Sequence, residues 1–323
     1  MTILVTGAAG FIGAAVAQHL LRRGDPVIGI DCINDYYDPA LKQARLDLLS
    51  QHPAFVFHKL DIADRAAMEQ LATQAGGAIT GIVHLAAQAG VRYSLVNPFA
   101  YVASNLVGHM TVLEMARHLP HLRHLVYASS SSVYGGNSKV PFSIADRVDD
   151  PLSLYAATKR ADEALSISYA HSHGLAQTGL RFFTVYGPWG RPDMAYFSFM
   201  AAIMEGRGLR IFGDGSMRRD FTYIDDIIAG VVAALDRPAA AGQHRLSNPG
   251  NNNSASVNDL VLAIEAATGR HAERHEVPAP PGEVAATWAD IEASRRDLGF
   301  QPKTSLPDGI KLFADWYRHF YRV

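Results

Sequence analysis

TGAAGFIG, from Thr6 to Gly13, follows the apolar run Ile3, Leu4, Val5 and opens the first helical stretch of the chain. Gly7, Gly10 and Gly13 fall in the pattern G-x-x-G-x-x-G. A side chain at any of them would crowd a strand-to-helix turn. Without one, the backbone can approach a pyrophosphate, and the free amides and positive dipole at the helix start receive its charge. Alone, the pattern also describes a turn that merely needs glycine. VIGID, about 20 residues on, ends in Asp31, where a carboxylate accepts hydrogen bonds from adenosine ribose hydroxyls and repels a phosphate. Turn and carboxylate together predict NAD rather than NADP. Asp61, ending a third apolar run, is placed either to meet the adenine or to cap a helix from Ala63 to Leu71.

Outward from this turn, short Val/Ile/Leu-rich runs alternate with helix-period stretches: ILVTG, VIGID, FVFHKLD, GIVHLAA, HLVYASS and TGLRFF. The alternation predicts an α/β chain with a Rossmann-type, doubly wound parallel sheet. Beyond about Leu180 the pattern turns irregular, with Pro/Gly-rich stretches at Gly187 to Pro192, Phe212 to Ser216, Asn248 to Asn252 and Pro278 to Gly282. We therefore expect an NAD-binding domain over 1–180 and a smaller C-terminal α/β substrate lobe over 181–323. The boundary is expected to be discontinuous, because HRLSNPG near Arg245 looks like one more sheet strand and returns about 222–250 to the first domain.

The bulk properties exclude other classes. Basic and acidic residues number 29 and 31, and the basic ones form nothing longer than pairs such as Arg22-Arg23, Arg218-Arg219 and Arg295-Arg296, so a nucleic-acid partner is not expected. The single cysteine, Cys32, has no internal disulfide partner, and no Cys/His grouping has zinc-ligand spacing, so no metal is expected and a reducing cytoplasm fits best. The apolar start has no basic leader and is interrupted by glycines, unlike a signal peptide, and no segment is apolar over a membrane-spanning length.

YAATK, Tyr155 to Lys159, begins a helical stretch running to about Ser172, which sets its Tyr and Lys four apart on one face. A phenol titrates near pH ~10, so a tyrosine base at neutral pH needs roughly 3 pH units of lowering, about 4 kcal/mol, which an adjacent ammonium and the positive nicotinamide can provide. In an arbitrary helix such a pair is usually structural. Here it follows YASSSSVYGG, a strand running into four serines whose hydroxyls can bond a reacting oxygen.

The glycine turn, strand-end Asp, serine run and Tyr/Lys pair, in this order over essentially the whole chain, resemble the extended short-chain dehydrogenase/reductase family and its sugar-nucleotide epimerases. DCINDYYDPALKQARL (Asp31 to Leu46), AGVRYS (Ala89 to Ser94) and GPWGRPDMA (Gly187 to Ala195) are similar to the UDP-glucuronate 4-epimerase branch. The resemblance implies Tyr155, Lys159 and Ser130 as the catalytic residues. It implies a dinucleotide contact set of Gly7, Gly10, Phe11, Ile12, Gly13, Asp31, Asn34, Asp61, Ile62, Leu85, Ala86 and Ala87, with Tyr155 and Lys159. Its sugar-nucleotide set is Arg92, Ser130, Ser131, Ser132, Thr184, Arg191 and Arg219, with Arg218 as the alternative to Arg219 at the diphosphate and IFGDGS shaping the uridine pocket.

The implied reaction is inversion of carbon 4 of UDP-glucuronic acid to UDP-galacturonic acid, through a 4-keto intermediate with transient NADH. Related decarboxylases and dehydratases resemble the chain but carry a carboxylate where it has Ser132, and galactose epimerases place Asn where it has Thr184. Arg191 suits a sugar carboxylate, because its planar fork pairs both oxygens, although a surface arginine in a proline-rich loop is the plainer reading. PPGEVAATWAD departs from the family's usual PGDV by carrying Glu283, whose role stays open. Three rival readings remain at this point: a different UDP-hexose, UDP-glucuronate decarboxylation, and a non-catalytic NAD-sensing module. The stretches Ala100 to Leu119 and Leu154 to Ser172 resemble those that pair family members as homodimers, or are internal.

Overall fold

In the computed structural model, which describes residues 1–278 and 285–323, the apolar runs form the strands the sequence predicts. Glu283 lies outside the described residues. Strand β1 (Thr2–Thr6) leads through the glycine turn into helix α1 (Phe11–Arg23). Gly24 ends α1 in left-handed backbone, φ 93°, and its amide turns back on Leu20 and Leu21 to close the last carbonyls. The alternation continues through β2 (Val27–Asp31), α2 (Pro39–Leu49), β3 (Phe55–Lys59), α3 (Arg65–Ala75) and β4 (Ile79–His84). Helices α4 (Pro98–Tyr101) and α5 (Gly108–His118) are joined by a π-helical segment, Val102–Val107. β5 (His124–Ser130), α6 (Leu154–His173) and β6 (Gln177–Phe182) follow.

The rest of the chain gives β7 (Thr184–Tyr186), α7 (Ala195–Met204), β8 (Leu209–Phe212), β9 (Arg218–Tyr223), α8 (Ile224–Asp236), β10 (His244–Ser247) and β11 (Ser254–Ser256). It closes with α9 (Val257–Thr268), β12 (Arg274–Val277), α10 (Glu292–Leu298) and α11 (Leu306–Tyr321).

Seven strands build one parallel sheet in the order β10-β6-β5-β4-β1-β2-β3. Successive residues of β1 point to opposite faces, so Ile3 and Val5 join the core shared with Val16, Ala17 and Leu20 of α1, while Leu4 joins Ile82, Val112 and Leu113 on the other side. Each such fully buried aliphatic chain contributes about 1.5–3 kcal/mol, which is what makes a doubly covered sheet stable. β10 pairs with β6 across His244–Gln177 to Ser247–Leu180, so the run near Arg245 does return to the central sheet. Two smaller sheets, β11-β9-β7 and β12-β8, lie in the C-terminal part. Strand order reverses between β1 and β4, the crevice where doubly wound sheets bind ligands.

One local expectation is corrected. Asp61 does not cap a helix beginning at Ala63: α3 begins at Arg65 and its N-cap is Asp64, whose carboxylate accepts from the Ala67 amide. Asp61 instead closes a short turn by accepting from the Ala63 amide at 2.9 Å. Both aspartates precede the helix at plausible spacing, and the cap goes to the one whose carboxylate meets the N3 amide.

Candidate active site

The site begins with space that side chains do not fill. Gly7 adopts φ 72°, and a Cβ there would lie 2.8 Å from the Ala86 amide nitrogen; a Cβ on Gly13 would stand 2.0 Å from the Gly7 carbonyl. Strand, turn and helix are therefore packed backbone to backbone. Gly10, the N-cap of α1, supplies no side-chain cap, and the first turn holds no acidic residue, so the opening amides of this 13-residue helix face no competing side-chain anion. Gly13→Ala is expected to cost about 1–3 kcal/mol through overpacking that backbone alone must absorb. Thermal denaturation reads it as a lower Tm, and an unchanged Tm with unchanged NAD binding would refute the packing argument.

Asp31, at the end of β2, is oriented by two main-chain donors: Ala9 N reaches Oδ2 at 3.1 Å and Ile33 N reaches Oδ1 at 2.8 Å. Each carboxylate oxygen keeps lone pairs for further donors. Beside it, Lys42 Nζ donates to Asn34 O at 2.7 Å and Oδ1 at 2.6 Å, and burial, helped by nearby Arg45, lowers the Lys42 pKa against the pull of Asp31. Thr6 ties β1 to β4. Its Oγ1 accepts from Leu85 N at 3.1 Å and Ala86 N at 3.0 Å, and stands 2.7 Å from His84 Nδ1. Burial pushes the His84 pKa down to about 3, so the ring is neutral and, by donor bookkeeping, Nδ1 accepts the threonine proton.

The side of the cavity that carries Tyr155 and Lys159 is set by α6. Ser153 caps this helix, its hydroxyl accepting from Ala156 N at 3.1 Å, which places Tyr155 in the first turn and Lys159 one turn on. The Tyr155 ring meets Tyr101 edge to face at 6.1 Å. Lys159 Nζ donates to Ala128 O at 3.0 Å and to Asp162 Oδ2 at 3.1 Å. Ser130 ends β5 and its hydroxyl accepts from Ser132 N at 3.2 Å. Next to it, Ser129 donates to Glu163, which Arg181 grips with two bonds at 2.8 and 2.9 Å, so the serine run is anchored from below by a buried ion pair.

Every residue expected at the dinucleotide lines one cavity, and Ser130 and Arg191 stand in the same wall. Among the described residues, Ser131, Ser132, Thr184, Arg92 and Arg219 are not part of that wall. Ser131 and Ser132 lie in the 3-10 turn after β5, and Thr184 begins β7. Arg219, on β9, donates to the Arg218 carbonyl at 2.9 Å, while Arg218 is held by Ser254. Arg92 stacks over Phe212 at 4.6 Å, which joins AGVRYS to IFGDGS. Arg191 is not a plain surface arginine. Its fork spans both oxygens of Asp193, Tyr36 OH donates to the same carboxylate at 3.1 Å, and burial opposed by these partners leaves the Asp193 pKa below the usual range.

Sequence reasoning missed other members of the wall, among them Tyr36, Tyr37, Lys42, Gln88, Ser104, Phe183 and Met194. The first three stand in DCINDYYDPALKQARL, whose resemblance was the available signal. It also missed Asn105, which bonds Gln88 on both its amide and carbonyl and Thr158 on α6 at 2.9 Å, and Arg45. Arg45 is 2% exposed and reaches Ala9 O at 2.9 Å, Tyr37 OH at 2.7 Å, Trp189 O at 2.6 and 3.1 Å, and Gly190 O at 3.1 Å. No motif announces Asn105, whereas Arg45 stands in the same DCINDYYDPALKQARL segment as Tyr36, Tyr37 and Lys42.

A glycine cradle open to phosphate, a strand-end carboxylate and a Tyr/Lys pair sharing one cavity define a dinucleotide-dependent sugar-modifying protein, and the chain belongs to the NAD dependent epimerase/dehydratase family, whose pattern matches residues 3–250. More particularly, it is 48% identical to UDP-glucuronate 4-epimerase 3 of Arabidopsis thaliana over 99% of this chain and 77% of that protein. The UDP-glucuronic acid 4-epimerase of Bacillus cereus, solved with UDP-glucuronic acid and NAD, superposes with a TM-score of 0.89 at 37% identity, covering 99% of this chain and 100% of the other. The UDP-glucose 4-epimerase of Thermotoga maritima, solved with UDP-glucose, gives 0.90 at 29% identity over 99% of this chain and 100% of its own.

Proposed function

We propose that this enzyme inverts carbon 4 of UDP-glucuronic acid to give UDP-galacturonic acid, using bound NAD. One observation carries the reading: Arg191, a cation that keeps N–H groups beyond the two given to Asp193, stands in the same cavity wall as Tyr155, Lys159 and Ser130. The relatives that act on UDP-glucuronate support it. The glycine turn would hold the pyrophosphate, Asp31 would take the adenosine ribose hydroxyls, and the residues after β4 would line the rest of the dinucleotide. Bound there, NAD would supply a hydride acceptor and donor for carbon 4.

Tyr155 removes the carbon 4 hydroxyl proton as a phenolate and later returns it, and the Lys159 ammonium favours that phenolate. Ser130 donates to the sugar oxygen. Arg191, with Thr184 and the serines, holds the sugar carboxylate out of alignment with the 4-keto carbonyl, which guards against loss of carbon dioxide. Arg219 and Arg92 grip the UDP while the sugar turns to present its opposite face. Incubation with UDP-glucuronate and UDP-glucose in parallel, without added reductant, is expected to give the epimer of the former by NMR. Carbon dioxide as the main product would sink the proposal.

We also assign 1–180 with about 222–250 to the NAD-binding part and the remainder of 181–323 to the sugar nucleotide. The seating of β10 in the central sheet supports this. The lone thiol, Cys32, accords with a reducing cytoplasm. Around α4, Leu95, Val96 and Phe99 are 83%, 76% and 81% exposed, with Leu152 half exposed just before α6, an apolar face that supports a homodimer through these helices. Light scattering is expected to give twice the chain mass, and Phe99→Glu to give the monomer. A monomeric parent chain would exclude the dimer.

A further inference from the structure

The mechanism above leaves one buried charge beside Lys159 unused. Asp162, three residues further along α6, has a side chain 1% exposed and accepts from Lys159 Nζ at 3.1 Å. Its other oxygen, Oδ1, has no hydrogen-bond partner among the described residues. A buried carboxylate is normally surrounded by donors, because its desolvation is otherwise uncompensated. Among the described residues, a single ammonium does that work. Since the Ala128 carbonyl takes a second of the three Lys159 protons, the protein has fixed where this cation points before any ligand arrives.

The surrounding ionisable groups are otherwise settled. His84 at the end of β4 and His109 on α5 stack at 5.2 Å, and burial holds the first down to about 3 and the second well below its usual value, so both are neutral. On β5, burial raises the Tyr127 phenol, which bonds His244 of β10 at 2.7 Å; burial lowers that ring to about 4. Glu163 is clasped by Arg181 of β6 and Arg160. Tyr101 meets the Tyr155 ring, and Arg191 near it is paired with Asp193.

We propose that Asp162 is a positioning residue for the reaction: its carboxylate fixes the Lys159 ammonium and cancels part of the positive field at Tyr155, so the buried pair, not the lysine alone, sets the pH at which the base forms. This rests on the reading of Tyr155 as the base. Burial, opposed by Lys159, raises the Asp162 pKa to about 6, so at neutral pH and above the carboxylate is charged and opposes the lysine. Removing that negative charge leaves the ammonium uncompensated, which favours phenolate and moves the acid side of the activity profile to lower pH.

The test uses NAD-loaded enzyme carrying Asp162→Asn, which keeps an acceptor for Lys159 without the charge, and Asp162→Ala as a second variant that removes both. Two quantities are followed against pH: kcat/KM, and the ultraviolet absorbance of phenolate taken as the difference from Tyr155→Phe in each background. Both are expected to move to lower pH by about 0.5–1 unit in Asp162→Asn. Should Tyr155→Phe abolish the phenolate signal while both Asp162 variants titrate with the parent enzyme, the proposal is overturned and the base assignment stands. Should Tyr155→Phe leave the parent titration unchanged, the base assignment falls and takes the proposal with it.

Discussion

Tyr155→Phe is expected to lower kcat by about 10²–10⁴-fold, the range that a positioned acid–base group contributes, while NAD still stabilises the protein against heat. The ring is half-buried and packs edge-on against Tyr101 at 6.1 Å, contacts that phenylalanine keeps. Only the hydroxyl is lost, so the variant separates proton transfer from packing. The proper readings are NMR-detected product formation and the NAD-induced rise in Tm. A drop in kcat with unchanged Tm rise assigns the effect to chemistry. Turnover near that of the parent enzyme would remove Tyr155 from its role.

Arg191→Ala is expected to reduce kcat/KM for UDP-glucuronate by about 30–4,000-fold, equivalent to the 2–5 kcal/mol at stake when one partner of a buried charge pair is truncated. A UDP-sugar without the carboxylate should suffer far less. The comparison matters because Arg191 also holds Asp193, whose carboxylate loses its bidentate partner in the variant and keeps Tyr36 OH at 3.1 Å. Damage to that loop falls on both substrates and cancels in their ratio. Equal losses on both substrates would strip Arg191 of any part in recognising the carboxylate.

The central sheet was legible because period-2 and near-continuous apolar runs report burial directly, and even β10, far along the chain, announced itself as HRLS. The glycine turn and Asp31 could be singled out because a dinucleotide site would restrict residue type at fixed spacing, and folding brings them to one cavity. Asp61 was the cap the sequence suggested, but Asp64 precedes the same helix, and the geometry of the Ala67 amide decides for it. Asn105 and Asp162 were invisible for a different reason. Each acts on main chain or side chains brought near by folding, and nothing in the local pattern distinguishes them from ordinary helix residues. The Arg191–Asp193–Tyr36 cluster is likewise a product of two loops from distant parts of the chain meeting.

Arg45 has a consequence for how the cleft behaves as a whole. Its five N–H groups are all spent, on the carbonyl of Ala9 in the glycine turn, on Tyr37, and on the Trp189 and Gly190 carbonyls of the loop we propose to meet the sugar. One fastener thus joins both halves of the crevice. On the proposed assignment, a lesion that slackens this loop is expected to be felt as a weaker hold on the dinucleotide, and a firmly seated dinucleotide to stiffen the loop.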